Sequence, residues 1–435
     1  MSDEYIDAPK NLFSTKYPEK GKKITDFDKH SKYLVKVTAA DDLTKKLYEY
    51  SEIFYESAHR ITDFILSEEH PDIGKLDTFF FSIAFLYRHC IELILKAIAF
   101  QYISENTDRT IFVKNTRHNL FEILTQIKIE SCFLPTSDEL DWLEKYFADI
   151  SVVDKESDSF RYPFHIVWVD DWWGSGEFVI KRVFNEQISV DLVKFANKFE
   201  AAYEILKKWY FKDASQCIEW KELEPVFIET GGYYYAQSVV GYKYHRDDFF
   251  PYTKAYLECG NFLKWFIKKE ADRGNSECSN RLFLPMCYLY RNCVELSLKT
   301  IWFEETAENF QTKCKLMKAK KHKIKGLWEQ IKSYVMDSVT SDDEEKYIEV
   351  IEDYCYQIHN IDSDANKFRY PMANNMQPYF SHNKRFDFMV VGDFFEELNN
   401  ILDGIDGQLN AMNEYKAEME AEYLSEMMSY QDYDY

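Results

Sequence analysis

Apolar residues recur every three or four positions over most of this chain, the spacing of helices with one buried face. Residues 47–66 and 252–270 show it most plainly. Each is followed by a more uniformly apolar stretch, at 86–98 and 289–301, which predicts a helix deeper in a core. Third helices are expected to begin at His118 and His322, and closing helices to cover 190–206 and 393–409. The period changes at one place: residues 165–184 alternate about Gly174, Ser175 and Gly176, which predicts a small β-hairpin. The expected fold is mainly α, with four helices to a bundle and short irregular insertions.

Two such bundles are expected because the sequence repeats itself. LYRHCIELILKAI at 86–98 returns as LYRNCVELSLKTI at 289–301, with nine of thirteen positions identical. HNLFEILTQIK from His118 is answered by HKIKGLWEQIK from His322. FRYP at 160–163 is answered by FRYP at 368–371, each preceded by Ile-x-x-x-Asp (Ile150 to Asp154, Ile358 to Asp362). Order and spacing are kept, so one copy is placed at 35–212 and a second at 242–412, each within the usual size of a domain. Residues 213–241, with Pro225, Gly231, Gly232 and a β-branched and aromatic run, read as a linker containing a short strand. Residues 1–34 are Lys-rich and polar, and 413–435 hold seven acids, one lysine and five tyrosines; both ends are expected to be flexible.

Composition narrows the field. Among 435 residues, 46% are hydrophobic and 29% charged, enough to bury a sizeable core. No run reaches the roughly eighteen apolar residues of a membrane span, and the first residues lack the pattern of a secretory leader, so a cytoplasmic protein without membrane contact is expected. Nine cysteines, an odd number without CxxC or Cys/His zinc spacing, read as reduced thiols, with neither a metal nor a cofactor implied. A net charge of −22 argues against an extensive duplex-DNA surface but leaves room for a local basic patch. Walker, GxGxxG, GxSxG and HExxH motifs are absent from the sequence.

Three groups of residues can carry chemistry. Arg88, Glu92 and Lys96 lie at i, i+4 and i+8, as do Arg291, Glu295 and Lys299, so each trio shares one face of an otherwise apolar helix. Unpaired charge is costly there. The stripe is therefore either an intrahelical ion-pair ladder or a polar ligand-binding site shared by the copies. His118 and His322, each after a basic residue (Arg117, Lys321), either hydrogen-bond locally or transfer protons. In FRYP the proline holds Tyr162 and Tyr370 extended. That directs Arg161 and Arg369 off a loop, suited to gripping a carboxylate or phosphate, or else to pairing with Glu92 and Glu295. Trp168, Trp172 and Trp173 on the hairpin form a candidate contact surface.

These features together resemble the HEPN superfamily of prokaryotic defence, toxin and nucleotide-binding proteins. The buried helix carries Arg followed by a polar residue (Arg88-His89, Arg291-Asn292), and the YRHCIEL…LK, His118-x-Leu120 and FRYP series is similar to a HEPN-like group of bacterial defence neighbourhoods. The resemblance implies two duplicated four-helix HEPN-like bundles packed as an intramolecular pseudo-dimer. Its cleft would be lined by the two Arg/Glu/Lys stripes, with His118, His322, Arg161 and Arg369 at the rim, and would hold a nucleotide or RNA. Active HEPN ribonucleases place a histidine after four to six residues beyond the arginine, where this chain has Leu93, Ile94 and Leu95, and Leu296, Ser297 and Leu298. The expectation is thus a regulatory or binding pseudo-nuclease of a bacterial antiphage-defence or toxin–antitoxin type system, acting on nucleotide, RNA or a protein partner. A divergent metal-independent ribonuclease using Arg88, Arg291, His118 and His322, and a scaffold subunit of a larger complex or oligomer, are the alternatives.

Overall fold

The computed structural model describes residues 15–67, 71–130, 137–170, 176–213, 218–241, 248–338 and 342–431. Trp172, Trp173, Gly174 and Ser175 of the expected hairpin, with Cys132 and Cys217, lie outside them. The first half runs β1 (Leu34–Val37), α1 (Leu43–Leu66), α2 (Ile73–Phe100), α3 (Asn106–Thr116), α4 (Leu120–Glu130), α5 (Ser137–Val153), β2 (Phe164–Asp170), β3 (Gly176–Arg182), β4 (Ile188–Asp191) and α6 (Leu192–Phe211). The second runs β5 (Gln237–Val240), α7 (Phe250–Asp272), α8 (Ser276–Thr300), α9 (Phe310–Lys320), α10 (Ile324–Asp337), α11 (Asp342–Ile361), β6 (Lys384–Asp387) and α12 (Phe388–Gln431). The protein is mainly helical, with three small antiparallel strand pairs among the described residues. Among the described residues each half has six α-helices where the periodicity suggests four. The segments of α3 and α9 (NTDRTIFVKNT, FQTKCKLMKAK) are too polar to announce a buried face, and α5 and α11 occupy stretches to which no helix is assigned from the sequence.

The central helix explains itself from sequence. Asp72 caps α2, its carboxylate accepting from the backbone of Gly74 and Lys75. Every residue from Thr78 to Phe100 is then buried, the behaviour of a helix enclosed on all sides. In α8 the same holds from Leu282 to Leu296. The charged stripes therefore sit inside the protein, not on a face that meets water. Buried apolar residues of both halves form one continuous core. Along the seam Phe64 stacks on Phe262 with ring centroids 4.4 Å apart, Phe81 meets Tyr252 at 4.1 Å, and Phe85 stacks on Tyr288 at 4.7 Å.

Strand pairing ties the halves together twice. β1, which opens the first half, pairs with β6 near the end of the second, Leu34 opposite Asp387 and Val37 opposite Lys384. β4 pairs with β5 in the converse sense, Ile188 opposite Val240. The hairpin is present as β2 and β3, with Trp168 opposite Phe178. Within the N-terminal segment expected to be flexible, residues 16–24 lie against α11 and α12: the Glu19 amide donates to the Tyr354 hydroxyl at 3.0 Å, and Lys22 reaches Glu397 at 2.5 Å. Helix α12 continues to Gln431, and from Glu414 to Met428 its side chains face solvent.

Glu397 is buried, and its two oxygens are held by Lys22 and by the Tyr354 hydroxyl. Lys22→Met removes one of these donors from a desolvated carboxylate and is expected to cost roughly 1–3 kcal/mol of stability, to be measured by urea denaturation against wild type.

Candidate functional site

The repeated blocks of sequence meet at two equivalent places. At the first, Arg88 and Glu92 on α2 are fully buried and joined at 2.8 Å, Arg88 Nη1 to Glu92 Oε2. Lys96 donates to the other glutamate oxygen, Oε1, at 2.6 Å. His118 Nδ1 lies 3.0 Å from that same Oε1, and the hydroxyl of Tyr370, from the other half of the chain, donates to it at 2.7 Å. Asp154 completes the arrangement. Its Oδ2 faces Arg88 Nε at 2.9 Å, while Oδ1 accepts from the amides of Asp158 and Ser159 in the loop leading to FRYP.

The second place repeats the pattern. Arg291 is paired with Glu295, Lys299 donates to Glu295 Oε1 at 2.7 Å, and His322 Nδ1 lies 2.9 Å from it. The hydroxyl of Tyr162, from the first half, donates to Glu295 at 2.8 Å. Each FRYP tyrosine thus completes the site of the opposite half. Asp362 holds the amides of Asn366 and Lys367, with its other oxygen 3.7 Å from Arg291 Nε.

Backbone geometry aims the histidines. Neither begins a helix; each lies in the turn after a short one, behind a residue with positive φ, Arg117 at 47° and Lys321 at 51°. Such a conformation costs a non-glycine residue of order 1–3 kcal/mol. Arg88 Nη2 donates to the carbonyl of His118, and Arg291 Nη2 to that of His322, fixing both turns from the buried side. The arginines are therefore positioning residues, fully enclosed.

Arg161 and Arg369 are also buried, and they do not pair with Glu92 or Glu295, the alternative their loop position allows. Their Nε atoms donate to the carbonyls of Ser157 and Ala365, each at 2.7 Å, and their guanidinium groups lie over the rings of Phe85 and Tyr288. The residues that do reach the glutamates are the next in sequence, Tyr162 and Tyr370. Helical periodicity and motif chemistry single out neither these tyrosines nor Asp154 and Asp362. A signal is nevertheless present, since Asp and Tyr stand eight positions apart in both halves.

The electrostatics follow from enclosure. Burial alone would raise the carboxyl of Glu92, but Lys96, His118 and Arg88 prevail and hold it well below the usual carboxylate range; Glu295 behaves likewise. Burial lowers His118 despite the attraction of Glu92, and keeps the imidazole neutral. His322 is lowered as well, with Glu295 opposing the effect of burial and of Lys299. Burial raises the tyrosine hydroxyls well above their ordinary value, so they act as donors. A neutral His118 whose Nδ1–H is given to Glu92 leaves Nε2 as its open acceptor. That atom makes no hydrogen bond among the described residues, and the side chain is 32% exposed.

His118 opens on a cleft of about 720 Å³ whose wall also includes Lys96, Lys114, Arg117, Tyr370 and Asn374. Lys114 and Arg117 are exposed and enter no ion pair among the described residues. Lys318 and Lys321 stand at the same spacings before His322, with Lys318 over the ring of Phe178 from the hairpin. No cluster of metal-ligating side chains occurs among the described residues. Comparison with family models, with curated proteins and with solved structures finds no match to this chain.

The low carboxyl of Glu92 has a consequence for stability. Its contribution is present above the ordinary glutamate range and is lost as the pH falls through the lowered folded value, below about pH 4. Glu92→Gln is expected to cost about 3 kcal/mol or more by leaving Lys96 uncompensated and Arg88 with Asp154 alone, and to flatten the acid limb of a stability-against-pH series recorded by thermal melting.

Proposed function

We propose that the chain is a tandem HEPN-like protein, two related helical bundles fused as an intramolecular pseudo-dimer, that binds a nucleotide or RNA end in the cleft at His118. The observation that carries this reading is the cleft itself, where two cations with no ion-pair partner among the described residues, Lys114 and Arg117, flank an open imidazole Nε2 and two tyrosines, Tyr370 and Tyr379. Phosphate oxygens suit the cations, and a base suits the tyrosine and asparagine walls. A role in a bacterial defence or toxin–antitoxin type system rests on the sequence resemblance alone. The missing histidine beyond Arg88 and Arg291, and the full burial of both arginines, favour binding over cleavage of the usual HEPN kind.

One observation favours a second reading, a divergent metal-independent ribonuclease. Glu92 and Tyr370 orient His118 through Nδ1 and leave Nε2 free to take a proton, the arrangement general-base chemistry needs. Here the histidines act and the arginines hold them.

Replacing Lys114 and Arg117 together by Glu is expected to weaken binding of a fluorescein-labelled oligoribonucleotide at least tenfold in an anisotropy titration, with a shallower dependence on salt. Binding unchanged by the double substitution would remove the cleft from consideration. In a parallel incubation the binding reading expects RNA to stay intact. Cleavage lost in His118→Ala, His322→Ala would establish the ribonuclease in its place.

A further inference from the structure

The two halves can be aligned side chain by side chain, and the alignment exposes one large divergence. Tyr87 donates to Glu200 at 2.8 Å, and Tyr290 to Glu396 at 2.8 Å. His59 contacts the same Glu200 oxygen, and Lys264 the same Glu396 oxygen. Phe199 stacks on Tyr87 as Phe395 stacks on Tyr290. These contacts pin α1 to α7 and α6 to α12 in register.

In that register the first half fills the groove between α1, α2 and α6 with two stacked tyrosine pairs, Tyr55 on Tyr203 at 4.2 Å and Tyr48 on Tyr210 at 4.4 Å. The second half has replaced all four. Gly260 stands for Tyr55, Asn399 for Tyr203, Thr253 for Tyr48 and Asp406 for Tyr210. Beside Gly260 the Tyr290 ring closes the space; along Thr253, Asn399 and Asp406 it stays open, a pocket of about 330 Å³ between α7, α8 and α12, lined by these residues with Ser297, Thr300 and Asp403, and with apolar walls from Phe250, Leu257 and Leu402.

Acceptors dominate the lining: its lysine, Lys254, lies over the Phe250 ring and 3.8 Å from Glu258. Asn399 is 3% exposed, yet among the described residues neither its amide oxygen nor its nitrogen has a partner. A buried amide left open costs roughly 1–3 kcal/mol, and an aromatic core position is an improbable place to acquire one without a use. The hydroxyls of Ser297 and Thr300 give their protons to the carbonyls of Cys293 and Leu296, and Thr253 gives its own to Phe250, so each turns only lone pairs toward the pocket. Asp403 adds an exposed carboxylate at the mouth.

The geometry points to a second, independent ligand site in the α7–α8–α12 groove, for a small flat cation rich in N–H donors, such as an amidine, a guanidine or a protonated amino-heterocycle. Its ring takes the space left open at Thr253, Asn399 and Asp406, and its donors meet Asn399, the hydroxyl lone pairs and Asp403. This site does not depend on the reading of the His118 cleft.

Three probes of one shape and different charge test it on the full chain. Benzamidine, benzamide and benzoate are titrated by calorimetry and by ligand-observed saturation transfer. Benzamidine is expected to bind at least tenfold more tightly than benzamide, and benzoate not at all. Asn399→Tyr, which restores the first-half filler, is expected to abolish benzamidine binding and raise the melting temperature. Asp403→Asn, at an exposed position that leaves folding unaffected, is expected to weaken benzamidine several-fold and leave benzamide unchanged. Absence of benzamidine binding, equal binding of all three probes, or affinity unchanged in Asp403→Asn would each overturn the assignment.

Discussion

A carboxylate cut off from water is the constraint on which the rest of this structure depends. Glu92 and Glu295 are fully buried, and an isolated charge in such a place is prohibitive. Each is made tolerable by donors from four directions: an arginine and a lysine one turn away on its own helix, a histidine from the next turn of chain, and a tyrosine from the opposite half. The aspartate before FRYP then anchors the arginine and the loop carrying the tyrosine. No member can be removed without stranding another, which gives a physical reason for the three blocks to occur together in both halves.

Reciprocity is the second organising fact. The tyrosines cross between halves, and the strand pairs β1–β6 and β4–β5 do the same at the periphery. Where the halves differ, the difference concerns what they leave open. The first half closes the groove beside its central helix with stacked tyrosines, and the second leaves a polar hollow there. The hairpin of the first half reaches over α9 of the second, Phe178 exchanging hydrogen bonds with Gln311, whereas the stretch following the second FRYP borders the His118 cleft.

Much of this is legible in the sequence. The helical period, the hairpin and the internal repeat are local signals, and the repeat by itself singles out Arg88, Glu92, Lys96 and His118. Two things are not legible. Weakly apolar helices such as α3 are held by their neighbours and not by their own pattern, so periodicity passes over them. The partner of each glutamate comes from a segment far along the chain, and spacing within a motif says nothing about a contact of that range. Arg161 has the chemistry of a ligand-gripping residue because guanidinium groups usually serve that way; burial over Phe85 turns it into packing and hands the polar contact to Tyr162.

The crossing of the tyrosines bears on how the protein is made. Tyr370 lies 278 residues beyond Glu92. At a synthesis rate of roughly 5–20 residues per second, the first site waits on the order of 15 seconds to a minute before its last donor leaves the ribosome. Through that interval β1 also has an unpaired edge, since Lys384–Asp387 has still to be made. The nascent first half therefore passes through a stage with an incompletely neutralised buried charge and an open strand, a stage in which chaperone engagement has most to act upon and in which a pause in translation between the halves would leave the chain most exposed to misassembly.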